Sequence, residues 1–308
     1  MKKSGKGKGY AALAITSLVW GTTWVASKIG VSEMPALQMA AIRQFIAGLC
    51  FVLFFILYKK TPLPTFKQFK WILVMSILMF VFANGLSTWS LKYIPTGFSA
   101  LIGALYPLSV VLIERIFFGS KKITPITMIG LFMGIAGVGI VFYESIFAHN
   151  SSLFMLGLGL SVIAMLSWSW GTIFVVRNKA GINPYYGTGW QMIISSFILF
   201  IVALIVQPLS PLTAISFKAW MAILYLIIFG SILTFVAFIY SMKKLPQTIS
   251  SLYAYINPLV AMVMAYLVLG EKLTINILWG ALVTLIGVFL VNYSVKKETP
   301  EVISEPEI

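Results

Sequence analysis

The feature that most constrains this chain is a series of ten apolar windows, each about as long as a helix must be to cross a lipid bilayer. Roughly 30 Å of hydrocarbon takes about twenty helical residues, and lipid offers the backbone no hydrogen-bonding partner, so each window reads as a helix with its peptide groups paired internally. The windows are 10–29, 37–57, 70–90, 97–117 and 124–142, then 153–175, 186–206, 218–240, 248–268 and 274–293. Prolines punctuate the gaps, at Pro35, Pro62 with Pro64, Pro95, Pro184, Pro208 with Pro211, and Pro246. The gaps leave no room for a soluble domain. The predicted fold class is therefore all-α integral membrane.

Composition separates this reading from its rivals. At 308 residues, 60% hydrophobic and 10% charged, the chain carries more apolar surface than a soluble core can bury, and the excess must face lipid. The net charge of +14 could signal nucleic acid, but such binders gather Lys and Arg on a hydrated face, and here they sit between apolar runs. No nucleic-acid partner is expected. Basic residues crowd alternate connections: the N-terminus, Lys59/Lys60/Lys67/Lys70, Arg115/Lys121/Lys122, Arg177/Lys179, Lys243/Lys244 and Lys296/Lys297. Because basic loops are retained on the inner side, this alternation predicts a multi-pass protein of the plasma (inner) membrane with both termini cytoplasmic. Lys2, Lys3, Lys6 and Lys8 before the first window resemble the start of a signal peptide, but the window is long and followed by further spans, so it reads as a retained helix.

Enzyme chemistry finds few candidates. Cys50 is the only cysteine, His149 the only histidine, and there is no aspartate, so neither a metal-ligand cluster nor a Ser–His–Asp arrangement is available. We expect no catalytic residue, no metal and no cofactor. The partners expected are a small-molecule substrate and the lipid bilayer, with a monomer as the working assembly.

Laid over itself with a shift of about 150 residues, the chain repeats. Trp20-Gly21-Thr22 falls on Trp170-Gly171-Thr172, Lys92 and Pro95 fall on Lys243 and Pro246, and Tyr106-Pro107 falls on Asn257-Pro258. Gly119-Ser120-Lys121 meets Gly270-Glu271-Lys272. Each half holds five windows, an odd number, so the second copy must be inverted relative to the first. Inverted repeats are the hardware of alternating access, in which two similar halves exchange conformations around a midplane site. The division expected is 1–148 and 149–295 as two five-helix repeats around a central cavity, with 296–308 a disordered cytoplasmic tail.

At Trp20-Gly21, Arg43, Pro107, Pro258 and Gly270-Glu271-Lys272 the chain resembles the drug/metabolite transporter superfamily, in its EamA-type family of ten-helix proteins. The resemblance covers nearly the whole chain. It implies a two-fold pseudosymmetric basket, cytoplasmic termini, a contact between the fifth and tenth helices, and export of small metabolites or amino acids through a central cavity. The sequence departs from the family pattern at Ser120, where members often repeat the Gly-Glu of Gly270-Glu271.

Polar and charged groups inside spans are functional candidates because burying them in lipid is costly. Arg43, partway into the second window, suits either a substrate carboxylate or a structural brace on a neighbouring helix. Trp20 and Trp24 share a helix face through their spacing of four, and Trp168 lies near the middle of the sixth window, deeper than interfacial anchors. With Asn84, Tyr106, Tyr253 and Asn257 they form the expected substrate-binding set. Pro107 and Pro258 remove helix hydrogen bonds in mid-span, freeing carbonyls around 102–103 and 253–254, and Ser99, Gly103 and Ser250 join them as pathway residues. Glu114 and Arg115 form a possible gate pair near one membrane face. Gly130, Gly134, Gly137, Gly280 and Gly287 suit close helix approach. The leading function is a secondary transporter exporting small amphipathic metabolites, amino acids first, by alternating access. A channel-like facilitator, or an antiporter of nucleosides, sugars or drugs, stands as the alternative.

Overall fold

The computed structural model describes residues 3–119, 124–148, 152–177, 181–206, 208–245, 249 and 252–298. Within these residues the chain forms ten helical rods and no strand. They are α1 (Lys3–Glu33), α2 (Ala36–Tyr58), α3 (Phe66–Ser90), α4 (Thr96–Phe118), α5 (Pro125–Ala148), α6 (Ser152–Arg177), α7 (Pro184–Val206), α8 (Phe217–Lys244), α9 (Tyr253–Leu269) and α10 (Ile275–Glu298). Eight of them are long and apolar enough to cross a bilayer. The shorter apolar α9 and the 31-residue α1, which starts among lysines, complete the predicted ten.

The helix ends follow from local chemistry. Thr65 and Gln68 cap α3 reciprocally, each side chain accepting the other's backbone N–H. Ser216 accepts from Ala219 N–H at the start of α8. Both α4 and α9 stop at a glycine in the left-handed region, Gly119 at φ 60° and Gly270 at φ 68°, a conformation that costs glycine nothing. Helix α10 continues through Lys296 and Lys297 to Glu298, so the ordered chain enters the segment expected to be tail.

The outer faces are apolar: Leu57, Phe132, Ile205 and Phe217 are exposed, as side chains facing lipid must be. Contacts between helices repeat with a shift of five. Helix α1 packs on α8 and α9 as α6 packs on α3 and α4, and α2 meets α8 as α7 meets α3. The pairs α2–α7, α4–α9 and α5–α10 each join a helix to its own counterpart. At the α5–α10 seam a Cβ added to Gly137 would stand 2.5 Å from Gly280 O, and one added to Gly287 would stand 2.4 Å from Gly134 N. The glycines expected to allow close approach thus bring two backbones together. The α2–α7 crossing uses the same device, with Gly48 facing Gly189 O at 2.8 Å from an added Cβ.

The two prolines that occupy matching places behave differently. Pro107 divides α4: the chain turns at Ala104 and Leu105 and restarts as a helix at Tyr106. Ile102 O, expected to be free, accepts from Leu105 N at 3.0 Å, and the carbonyl left without its usual helical donor is that of Gly103. Pro258 instead sits within the continuous helix Tyr253–Met264.

Candidate functional site

The site lies between the two sets of five helices and grows from the face of α1 that carries Trp20, Thr23, Trp24 and Ser27 at helical spacing. Gly21 lets α9 come close, since a Cβ there would meet Val260 Cβ at 2.4 Å and Asn257 O at 3.1 Å. That approach brings Asn257 to Trp24, whose Nε1–H donates to Asn257 Oδ1 at 2.9 Å.

Helix α2 supplies Arg43 and Gln44. Arg43 is 5% exposed and lines the cavity, and its Nε–H donates to Ser231 Oγ at 2.9 Å. Ser231 belongs to a stretch of α8, Leu226–Leu233, wound in wide π-type turns. Such turns mismatch the regular ladder and release groups toward neighbours, here Gly230 O, which accepts from Trp20 Nε1–H at 3.2 Å. A matching wide stretch, Ser76–Leu86 in α3, faces Gln44. Gln44 Nε2 donates to Phe80 O at 3.3 Å and to Asn84 Oδ1 at 3.1 Å, while Ser195 donates to Gln44 Oε1.

Helices α4 and α6 form the hydroxyl-rich wall. Ser99 joins Ser161 at 2.7 Å and Ser90 at 3.1 Å. Toward the end at which α1 begins, the wall becomes aromatic: Trp20 meets Trp168 edge-on at 6.2 Å between ring centres, Tyr253 at 5.4 Å and Phe235 at 5.4 Å, and Tyr106 stacks on Tyr253 at 6.1 Å. These geometries lie in the attractive range for aromatic pairs. Together the walls enclose a cavity of about 170 Å³. This is room for several waters or a small solute.

The structure brings the residues singled out from sequence to this one cavity. Trp20, Trp24, Arg43 and Asn84 line it, as do Tyr106, Trp168, Tyr253 and Asn257. Of the pathway residues, Ser99, Gly103 and Pro258 also line it. Pro107 is buried at the helix break outside the lining. Ser250 and His149 lie outside the described residues. Trp170 turns away from the cavity to pack on Phe117, Phe118 and Phe174.

Glu114 and Arg115, the possible gate residues, lie near the end of α4. Adjacent helical residues point in different directions, and Glu114 faces Arg177 of α6 at 3.9 Å, while Arg115 is exposed and makes no ion pair among the described residues. Arg177 also lies over the Phe118 ring at 3.7 Å. Opposite this end, Glu271 accepts from Thr96 N–H at 2.8 Å and Gly97 N–H at 3.3 Å, capping α4. Lys28 donates to Leu91 O and Ile94 O in the turn just before it.

Sequence reasoning passed over Gln44, Ser231, Ser161 and the Gly230 carbonyl. Gln44, an amide buried in an apolar span beside Arg43, could have been flagged by the cost of burying it. Nothing in the sequence marks the wide turns that present Gly230 O and Ser231. Among the described residues no group of three His, Cys, Asp or Glu side chains could hold a metal ion, and no carboxylate lines the cavity.

Ten apolar helices, packed two-fold around a polar and aromatic cavity that holds one buried cation, define a multi-pass membrane protein with a central binding chamber. The model of the EamA-like transporter family matches residues 7–143 and again 155–293, and the chain belongs to that family of membrane transporters. Relatives of similar length include the uncharacterized inner membrane transporter YedA of Escherichia coli (strain K12), 30% identical over 89% of this chain and 86% of its own. The uncharacterized transporter YoaV of Bacillus subtilis (strain 168) is 26% identical over 90% of this chain and 94% of its own. The WAT1-related chloroplastic protein At3g02690 of Arabidopsis thaliana is 30% identical over 89% of this chain and 67% of its own. A crystal structure at 16% identity shares the fold, with a TM-score of 0.65 over 96% of this chain and 99% of the other.

Proposed function

We propose that this transporter exports small amphipathic solutes that carry a carboxylate, amino acids among them, by alternating access around the central cavity. The observation that carries the reading is Arg43, a buried guanidinium whose one hydrogen bond among the described residues is to Ser231, facing an aromatic chamber. A charge at that depth is costly unless an anion or a set of acceptors meets it, and a carboxylate fits a guanidinium through paired hydrogen bonds. The indole and phenol rings suit the apolar body of such a solute. The exchange of neighbours under a shift of five helices supports two units that swap roles, opening the chamber first to one side and then to the other. The distribution of basic loops supports cytoplasmic ends in an inner membrane, as in the bacterial relative named for that location.

Purified protein in liposomes loaded with labelled solute tests the reading. Saturable flux, stimulated by unlabelled solute on the far side, is expected for alternating access, whereas a channel-like facilitator gives flux linear in concentration and indifferent to trans solute. Arg43→Ala should abolish flux in a protein that still melts cooperatively in detergent. Loss of folding instead would make Arg43 a brace and remove the reading's main support.

A further inference from the structure

The chemical class of the solute follows from which hydrogen-bonding groups around the cavity are already spent. An indole N–H only donates, so the Asn257 atom that meets Trp24 must be Oδ1, and the amide orientation is fixed by its partner. A backbone carbonyl only accepts, so the Gln44 atom at Phe80 O must be Nε2, and Gln44 Oε1 is then the atom that takes the Ser195 hydroxyl. The same Nε2 reaches Asn84, whose contacting atom must therefore be Oδ1. Each asparagine that lines the cavity has thus turned its oxygen to a protein donor and kept its NH2 group unused.

Neither NH2 group has a partner among the described residues, and neither belongs to the fully buried polar atoms that lack one, so both remain accessible. The two Nη groups of Arg43 are in the same condition, since its hydrogen bond uses Nε. Trp20 and Trp24 have spent their N–H groups on Gly230 O and Asn257 and offer only ring faces. The polar groups of Arg43, Asn84 and Asn257 that have no partner among the described residues are therefore all donors, with one fixed positive charge and no carboxylate among the lining residues. The nearby Ser and Thr hydroxyls rotate to suit either role and do not change this balance.

An amino acid carries its ammonium on the carbon next to its carboxylate. If Arg43 holds the carboxylate, the ammonium is held near the guanidinium with no carboxylate of the cavity lining to offset the second positive charge, which is unfavourable in a medium of low dielectric. We propose that the cavity is a site for small monocarboxylates with an apolar body, read through the carboxylate alone, in which an α-ammonium group weakens binding. This rests on reading the cavity as the substrate site.

The test uses three probes that share an isobutyl body, 4-methyl-2-oxopentanoate, leucine and isopentylamine, titrated calorimetrically into the full-length protein in nanodiscs. The oxo acid should bind about tenfold or more tighter than leucine, with the amine weakest, a gap of at least ~1.4 kcal/mol. Arg43→Gln should remove oxo-acid binding. Asn257→Asp keeps the shape and the acceptor for Trp24 but replaces a donor with a negative charge, and should shift the preference toward leucine. Leucine binding as tightly as the oxo acid, or the amine binding best, overturns the monocarboxylate assignment. So does failure of all three to bind at millimolar concentration. Arg43-dependent flux or binding of leucine, or of any other solute, would in those cases leave the cavity standing as the substrate site, while flux indifferent to Arg43 would remove both.

Discussion

Replacing Gly287 with alanine places one methyl group where the α5–α10 seam has no room. The added Cβ would stand 2.4 Å from Gly134 N, 2.6 Å from Gly130 O and 2.9 Å from Gly134 Cα. All three are backbone atoms of α5 and cannot rotate aside as a side chain could. Restoring ordinary van der Waals separation requires the helices to part by about 1 Å, and a gap of that size forfeits roughly a quarter to a half of each contact along the seam. The contacts at risk include Gly130 against Gly287 and Gly137 against Gly280, with Val288 and Val291 buried beside them. Overpacking of this kind costs about 1–3 kcal/mol, while alanine gains about 1 kcal/mol over glycine in helix propensity. The control is Gly139→Ala on the same helix α5, where an added Cβ meets nothing within 4 Å. The propensity gain is common to both variants, so the difference between them isolates the clash, and it should be about 1–3 kcal/mol in favour of Gly139→Ala. Thermal unfolding of the purified proteins in one detergent, followed by tryptophan fluorescence, measures it. Equal melting of the two variants would refute the claim that backbone contact across this seam holds α5 to α10.

Glu271 spans two helices, accepting from Thr96 N–H and Gly97 N–H at the start of α4 from its place after α9. Glu271→Gln keeps one acceptor and loses the charge, so it should lower stability by about 1–2 kcal/mol; a melting profile identical to the parent would rule out the cap as a tie between the repeats. At the other end, Arg177 lies 3.9 Å from Glu114 and its side chain is 39% exposed, so Arg177→Ala should cost roughly 1 kcal/mol or less, including its stacking on Phe118. A loss several times larger in the same melting assay would make this pair a structural lock.

Much of the site was legible because polar and aromatic groups are scarce in a chain built to face lipid. Arg43, Asn84 and Asn257 stand out in apolar windows, Trp20 and Trp24 fall on one helix face, and all five reach one cavity. The rare exception to apolarity inside a span had few places to go, and so its destination could be read. The two prolines were harder, because the same residue in the same register gave a break at Pro107 and a continuous helix at Pro258. The residue four before each proline differs, Gly103 before the turn and Ala254 within the continuous helix, while the turn itself runs through Ala104 and Leu105 at ordinary right-handed dihedrals. A motif match aligns the prolines but says nothing of that neighbour.

What sequence could not supply is the direction of the hydrogen bonds around the cavity. Trp20, Trp24, Asn84 and Asn257 all read as polar handles when named one at a time. Their chemistry toward a solute depends on what each has already given to the protein, and that is decided by backbone geometry. The wide turns of α8 offer Gly230 O to Trp20, and the close approach of α1 at Gly21 offers Asn257 to Trp24, so both indole N–H groups are consumed. The wide turns of α3 fix Gln44 and through it Asn84. Each stretch holds a single glycine, Gly85 and Gly230, but a lone glycine in an apolar run does not specify a π-type turn. A cavity that composition makes amphoteric therefore becomes, once its internal bonds are assigned, one whose asparagines and arginine hold their unused groups as donors, and that bias favours a carboxylate over a zwitterion.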